Sequence, residues 1–297
     1  MARILCIGDI MLDVIAFVPP ALNYGEDTPS TIVTRGGGAG ANVASWAKSA
    51  GAESFLIARV GDDPAGVAVI AELDALGVQH SQRAVPELST GVVVILVDPT
   101  GERTMIPDSG ANAGLTIADL PNLSDFDAAY ISGYSLLNPL SRDGVLEMIT
   151  EIRAKSIPIF FDPTTIGGMA HVELHTIHGW LSLMDTLLMN EEESFYLTSE
   201  NEIESALASL LKFSPTAVIK RGSFGAVGKN RSGVYFSAPA KETVAIDTTG
   251  AGDSFAGGFI AQFLINQELS ACIEAGLTQA ALCVAIAGAR PQVTTEI

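Results

Sequence analysis

The residues best placed for chemistry are Asp247-Thr248-Thr249-Gly250-Ala251-Gly252-Asp253, which run directly into the apolar stretch from Ser254 to Ile265. Small residues let consecutive backbone N–H groups approach an anion. A helix starting here adds unpaired N–H groups and the positive end of its dipole. Gly250, Ala251 and Gly252 would then cradle the charge that develops on a phosphoryl group in transfer. Asp253 ends the segment, and its carboxylate has two readings. It could take the proton of an attacking alcohol, or it could cap the helix and do no chemistry.

A second glycine loop, Gly36-Gly37-Gly38-Ala39-Gly40-Ala41-Asn42, also opens a helix. Gly36, Gly38 and Ala41 match the spacing of a dinucleotide fingerprint, but the loop does not directly follow the first strand. The better reading is a loop that lets a polyol approach the backbone while Asn42 bonds its hydroxyls. Asp9 and Asp13 lie just past the first apolar run, as acceptor ligands or as turn residues. Arg103 sits in an apparent hairpin, as a substrate contact or a solvated charge. His171, His175 and His178 could share a helical face, either as zinc ligands or as a solvated polar face. Walker A spacing is absent.

The surrounding elements set where these residues stand. Arg3 to Gly8, Ser54 to Val60, Val92 to Val97, Ala128 to Ser132, Pro158 to Asp162, Thr186 to Asn190 and Ala217 to Lys220 read as strands. Helices are expected at 41–50, 64–76, 141–155, 191–198 and 202–213. This alternation predicts βαβ units around a mostly parallel sheet flanked by helices. Residues 12–35 and 89–108 break the rhythm. They read as strands that leave the sheet to form a small β lid on a single domain.

Composition restricts the partners. The chain has 297 residues, is 48% hydrophobic and carries a formal charge of −18. That surface repels phosphate backbones and anionic lipid, so neither nucleic acid nor membrane is an expected partner. No apolar run reaches the ~18 residues of a membrane span. Cys6, Cys272 and Cys283 lie in apolar stretches without metal-ligand spacing, as expected of buried thiols in a reducing, cytoplasmic setting.

Taken in order, the motifs resemble the ribokinase-like (phosphofructokinase-B) family. DTTGAGDSFAGGFI (247–260) is similar to that family's C-terminal signature, and GGAGAN (37–42) to its N-terminal one. Asn190-Glu191-Glu192-Glu193 resembles its N-x-x-E motif, and Lys220-Arg221-Gly222-Ser223-Phe224-Gly225 its nucleotide loop. Val60-Gly61-Asp62-Asp63 and Gly110-Ala111-Asn112 also fit.

The resemblance implies an ATP-dependent kinase of sugars on the ribokinase-like fold. Asp253 would be the base and Gly250–Gly252 the anion hole. Asp13, Gly38 and Asn42 would meet the acceptor; Asp9, just past the first strand, and Arg103, on the lid hairpin, are acceptor candidates from their positions alone. Lys220, Gly222 and Gly225 would line the nucleotide site, and Asn190 and Glu193 would act near Mg²⁺ through water. Carbonyls near Asp247, Thr249 and Gly288 could hold K⁺, although Gln292 departs from a serine common nearby in ribokinases. The lid implies a homodimer. Ala39 stands where ribokinases often carry lysine, which puts ribose as acceptor in question. Lys220 replaces a common threonine. A nucleoside kinase on the same fold and a non-catalytic nucleotide-binding protein are the alternatives.

Overall fold

The computed structural model describes residues 2–81 and 84–292. Across these residues nine strands form one sheet. They are β1 (Arg3–Ile7), β4 (Glu53–Ile57), β5 (Gln79–His80), β8 (Ala128–Ser132), β9 (Ile159–Asp162), β10 (Thr186–Asn190), β11 (Thr216–Lys220), β12 (Ala226–Asn230) and β13 (Tyr235–Ala238). Their order is β13-β12-β11-β10-β9-β8-β1-β4-β5, parallel from β5 to β11 and antiparallel from β11 to β13. The remaining strands, β2 (Met11–Phe17), β3 (Thr31–Gly37), β6 (Gly91–Val97) and β7 (Arg103–Asp108), make a separate sheet in the order β3-β2-β6-β7. The expected lid is therefore present as a four-stranded sheet built from both segments.

Each central strand is apolar on both faces, as a sheet covered by helices on both sides requires. Ile4 and Cys6 join one buried cluster with Val43, Ala44, Phe255 and Phe259; Leu5 and Ile7 join the other with Met148, Ile149 and Leu207. The helices that matter to the site are Ala39–Ser49, Pro64–Leu76, Glu191–Thr198, Ala251–Phe263 and Leu269–Val284.

Some expectations need correction. The strand read as running to Val60 ends at Ile57, because Arg59 N–H turns to the Asn112 side chain and Val60 O accepts from Val85. The helix read as beginning after Asp253 begins at Ala251. Of the three histidines, His175 and His178 lie on the helix Leu174–Leu181 while His171 precedes it. His178 stacks on Phe213 and bonds the Leu197 carbonyl at 2.7 Å.

The chain passes from β1 to β4 on one side and later returns through β8 on the other. This is a switch point, where clefts open beyond the carboxyl ends of parallel strands. Gly8 and Gly40 make the approach possible there. A Cβ on Gly40 would stand 2.6 Å from Gly8 Cα, so the helix Ala39–Ser49 seats directly on the end of β1. In an ordinary helix Gly→Ala stabilises. Here Gly40→Ala is expected to lower stability by ~1–3 kcal/mol through overpacking, read as a fall in urea midpoint at unchanged m-value.

Candidate active site

Five strand ends converge on one edge. Asp9 follows β1, and Ser132, Asp162, Asn190 and Lys220 are the last residues of β8, β9, β10 and β11. The first turn of the helix Ala251–Phe263 faces them. Gly250 precedes that helix in the left-handed region (φ 77°), and a Cβ there would meet Ala289 O at 2.7 Å. The Ala251 N–H turns to Thr248 O at 3.3 Å. Among the described residues, the N–H groups of Gly250, Gly252 and Asp253 have no protein acceptor.

Asp253 is the third residue of its helix and does not cap it. Its Oδ2 instead accepts from Asn42 Nδ2 at 2.8 Å. The N-terminal glycine loop and the C-terminal signature thus meet at the carboxylate. Burial pushes Asp253 up to about 7; the Asn42 bond and Lys220 act against that shift, and Asp162 adds to it.

Asp9 and Asp13 have different surroundings. Asp9 accepts from Ala39 N (3.2 Å), Gly40 N (3.4 Å) and Ser132 Oγ (3.3 Å), so it holds the start of the glycine-loop helix. Burial still raises it above the usual carboxylate range. Asp13 is 8% exposed and accepts no hydrogen bond from the described residues. Its oxygens lie where a Cβ on Gly37 would stand. Burial raises it to about 7, opposed by Arg290. Gly38 has φ 94° and packs on the Asp9 carbonyl.

On the nucleotide side, Asn190 and Glu193 form a capping box. Asn190 Oδ1 accepts from Glu193 N, and Glu193 Oε2 from Asn190 N, both at 2.8 Å. Glu193 is raised, first by burial and then by Asp162. Its Oε1 lies outside the box, an oxygen donor suited to a metal-bound water. Gly222 and Gly225 adopt φ of 53° and 93°, and Arg221 N closes their turn on Gly225 O at 2.8 Å.

Arg103 reaches across from β7 to Asp247 Oδ1 (2.5 Å) and Thr248 Oγ1 (3.4 Å), on the loop before the anion hole. Asp247 also accepts from Thr249 N (2.9 Å) and Gly288 N (3.0 Å). Burial works against its ionised form, yet these bonds and Arg103 hold it below the usual carboxylate range. The oxygens read for K⁺ are only partly free, because Thr249 O accepts the Cys283 thiol at 3.3 Å and Arg103 already supplies a cation.

Three residues of the site escaped the sequence reading. Asp162 carried a usable signal, a carboxylate ending the apolar strand Ile159–Asp162. Arg290 and Glu72 carried none. Arg290 is 4% exposed, donates from Nε to Asn42 Oδ1 (3.2 Å) and from Nη2 to Gly37 O, and lies 3.4 Å from Glu72. It thereby fixes which way the Asn42 amide faces.

A half-buried carboxylate beside free N–H groups at one helix start has the chemistry that phosphoryl transfer needs, and it stands at the edge of a mostly parallel sheet next to a separate four-stranded one, the architecture of a ribokinase-like fold. The profile described as "pfkB family carbohydrate kinase" matches residues 1–296, and the chain belongs to that family. It is 29% identical to an ATP-dependent ribose-1-phosphate kinase of Halopiger xanaduensis, covering 100% of this chain and 96% of that one. It is also 29% identical to a fructokinase of Klebsiella pneumoniae, over 87% and 83% of the two chains. In fold it is similar to the adenosine kinase of Sinorhizobium meliloti (TM-score 0.89, 22% identity, 99% and 97% covered). It also resembles the ADP complex of ribokinase from Cryptococcus neoformans var. grubii (TM-score 0.80, 25% identity, 97% and 96% covered).

Asp13 and Asp253 are both raised to about 7. A carboxylate raised on folding stabilises the folded state below its unfolded value and loses that contribution as pH rises through the folded one. The ligand-free protein should therefore melt at a higher temperature at pH 5.5 than at pH 8.5. Asp13→Asn and Asp253→Asn should each flatten that slope.

Proposed function

We propose that this chain transfers the γ-phosphoryl group of ATP to a hydroxymethyl group of a sugar or related polyol. The observation that carries this reading is the half-buried Asp253 carboxylate, held by Asn42 from the acceptor loop and flanked by free N–H groups at the start of its own helix.

Asp253 takes the acceptor proton as the oxygen attacks phosphorus. The N–H groups of Gly250, Gly252 and Asp253 offset charge on the transferring group, with Ala251 completing the turn. Asp13 is free to bind acceptor hydroxyls beside Gly38 and Asn42, whereas Asp9 holds the loop that carries them. Lys220, Gly222 and Gly225 line the nucleotide side. Mg²⁺ would be met by Glu193 through water, and it supplies charge neutralisation at the phosphates. No step passes through K⁺. Residues 1–297 act as one kinase domain, with the lid excluding water during transfer. Three buried, unpaired thiols suit a cytoplasmic protein.

A nucleoside acceptor is the competing reading. Phe17 lies on the same strand face as Asp13 and is half-exposed, so it could stack a base. The lid's opposite face carries exposed Ile32, Val94 and Ile106, which supports a homodimer formed through the lid.

Asp253→Asn should fold as the wild type and lose at least ~10²-fold in kcat, measured as acceptor-dependent ADP release. A well-folded variant with near-normal turnover would refute the assignment. Thermal shifts with a non-hydrolysable ATP analogue and a panel of sugars and nucleosides should give the largest shift with a sugar. Sedimentation velocity should find a dimer that Ile106→Lys converts to a monomer.

A further inference from the structure

Lys220 ends β11, where the family resemblance assigns it to the nucleotide loop. Its side chain takes another course. Register sets Lys220 beside Asn190 of β10, with Asp162 one strand further on. The ammonium reaches over to Asp162 Oδ2, while Asp162 Oδ1 accepts from Thr164 N at 3.0 Å. Asp162 is 3% exposed, so it is a fixed partner. This course brings Nζ against the first turn of the helix Ala251–Phe263. It lies 3.1 Å from where a Cβ on Gly252 would stand. Glycine at 252 is what leaves room for it. Among the described residues, Asp162 is the one hydrogen-bond acceptor of Nζ. An ammonium has three N–H groups, so two remain for a ligand.

We propose that Lys220 is a catalytic residue whose ammonium, aimed by Asp162, binds the transferring phosphoryl group beside the Gly252 and Asp253 N–H groups. The inference rests on the kinase reading above. A phosphoryl group in transfer spreads its charge over its equatorial oxygens. Here it must enter a pocket already holding Asp162, Glu193 and Asp253. Backbone N–H groups supply only partial charges against that repulsion, and a compact point cation supplies a whole one. In the step itself, the acceptor oxygen forms a bond to Pγ and the bond from Pγ to the β–γ bridging oxygen breaks. The acceptor proton goes to Asp253 and ADP leaves with the electron pair. Lys220 stays protonated throughout. Asp162 is a positioning residue, since it acts through Lys220.

Calorimetric binding of Mg²⁺·ADP, alone and with tetrafluoroaluminate, separates this role from a structural ion pair. Lys220→Met should bind ADP within about threefold of the wild type but bind the tetrafluoroaluminate complex at least ~30-fold more weakly. Its kcat should fall ~10²–10³-fold, the loss typical of one removed oxyanion donor, with a smaller change in KM for ATP. Lys220→Arg should recover part of both losses. If Lys220→Met fails to fold, the paired variant Asp162→Asn/Lys220→Met, which leaves no orphaned buried charge, is read in its place. Equal weakening of both complexes would reduce Lys220 to a nucleotide contact, and no weakening would reduce it to a structural pair; either result overturns the proposal alone. A wild-type chain that binds no nucleotide overturns the kinase reading and this proposal together.

Discussion

The hydrogen bond from Asn42 Nδ2 to Asp253 Oδ2 joins residues 211 positions apart, and the site exists only where they meet. Several contacts bring them there. Gly40 seats one helix on the end of β1. Gly257 lets the other helix close on it, since a Cβ at 257 would stand 2.7 Å from Ala47 N. Arg290 then holds the Asn42 oxygen, so the amide must present its NH₂ to the carboxylate. Ala289 is tied down in turn, its carbonyl accepting Trp46 Nε1 at 2.8 Å. Close glycine contacts are thus a condition for the chemistry, because they set how near two helix starts approach.

Electrostatics explains why so few cations suffice. A chain of charge −18 has little long-range attraction for ATP. Its positive potential is local and mostly neutral in origin: helix starts, N–H groups and a small number of placed arginines and lysines. Burial also keeps the carboxylates from adding fully to the repulsion. Asp13, Asp253 and Glu193 are raised by desolvation first, so near neutrality they ionise only in part. For a base this is useful. A carboxylate whose pKa lies near the working pH can be unprotonated before the reaction and still accept a proton during it.

The sequence was most legible where local chemistry and fold agree. β8, β10 and the helix Glu191–Thr198 lie where their apolar runs and acidic first turn place them. The lid was visible as a break in βαβ rhythm. Less was visible where a contact depends on distant backbone. Arg290 follows the last helix with nothing in its neighbours to show that it points inward. Nothing near Arg103 shows that it turns to Asp247, since that pairing crosses from the lid to the opposite end of the chain. The antiparallel strands β12 and β13 were missed because Gly228 interrupts β12 and β13 is only four residues long, and their pairing is a hairpin laid on β11 more than a product of their own periodicity.

Motif spacing also carries more structural meaning than a functional reading assigns to it. Asn190 and Glu193 stand three apart because a capping box needs that spacing. Asp63 caps the helix Pro64–Leu76 and holds Thr90, and Asn112 brackets Ile10 with both ends of its amide. Asp9 is consumed by the N–H groups of the glycine loop. A side chain whose bonds are saturated inside the protein can position a neighbour but has little left to offer a substrate. By that criterion the groups able to act are few: the Asp13 carboxylate, one oxygen each of Asp253 and Glu193, two N–H groups of Lys220, and the backbone of 250–253. The rest of the conspicuous motif residues make a rigid frame, and a rigid frame is what electrostatic stabilisation of a transient charge requires, since donors already in place need no reorganisation when that charge appears.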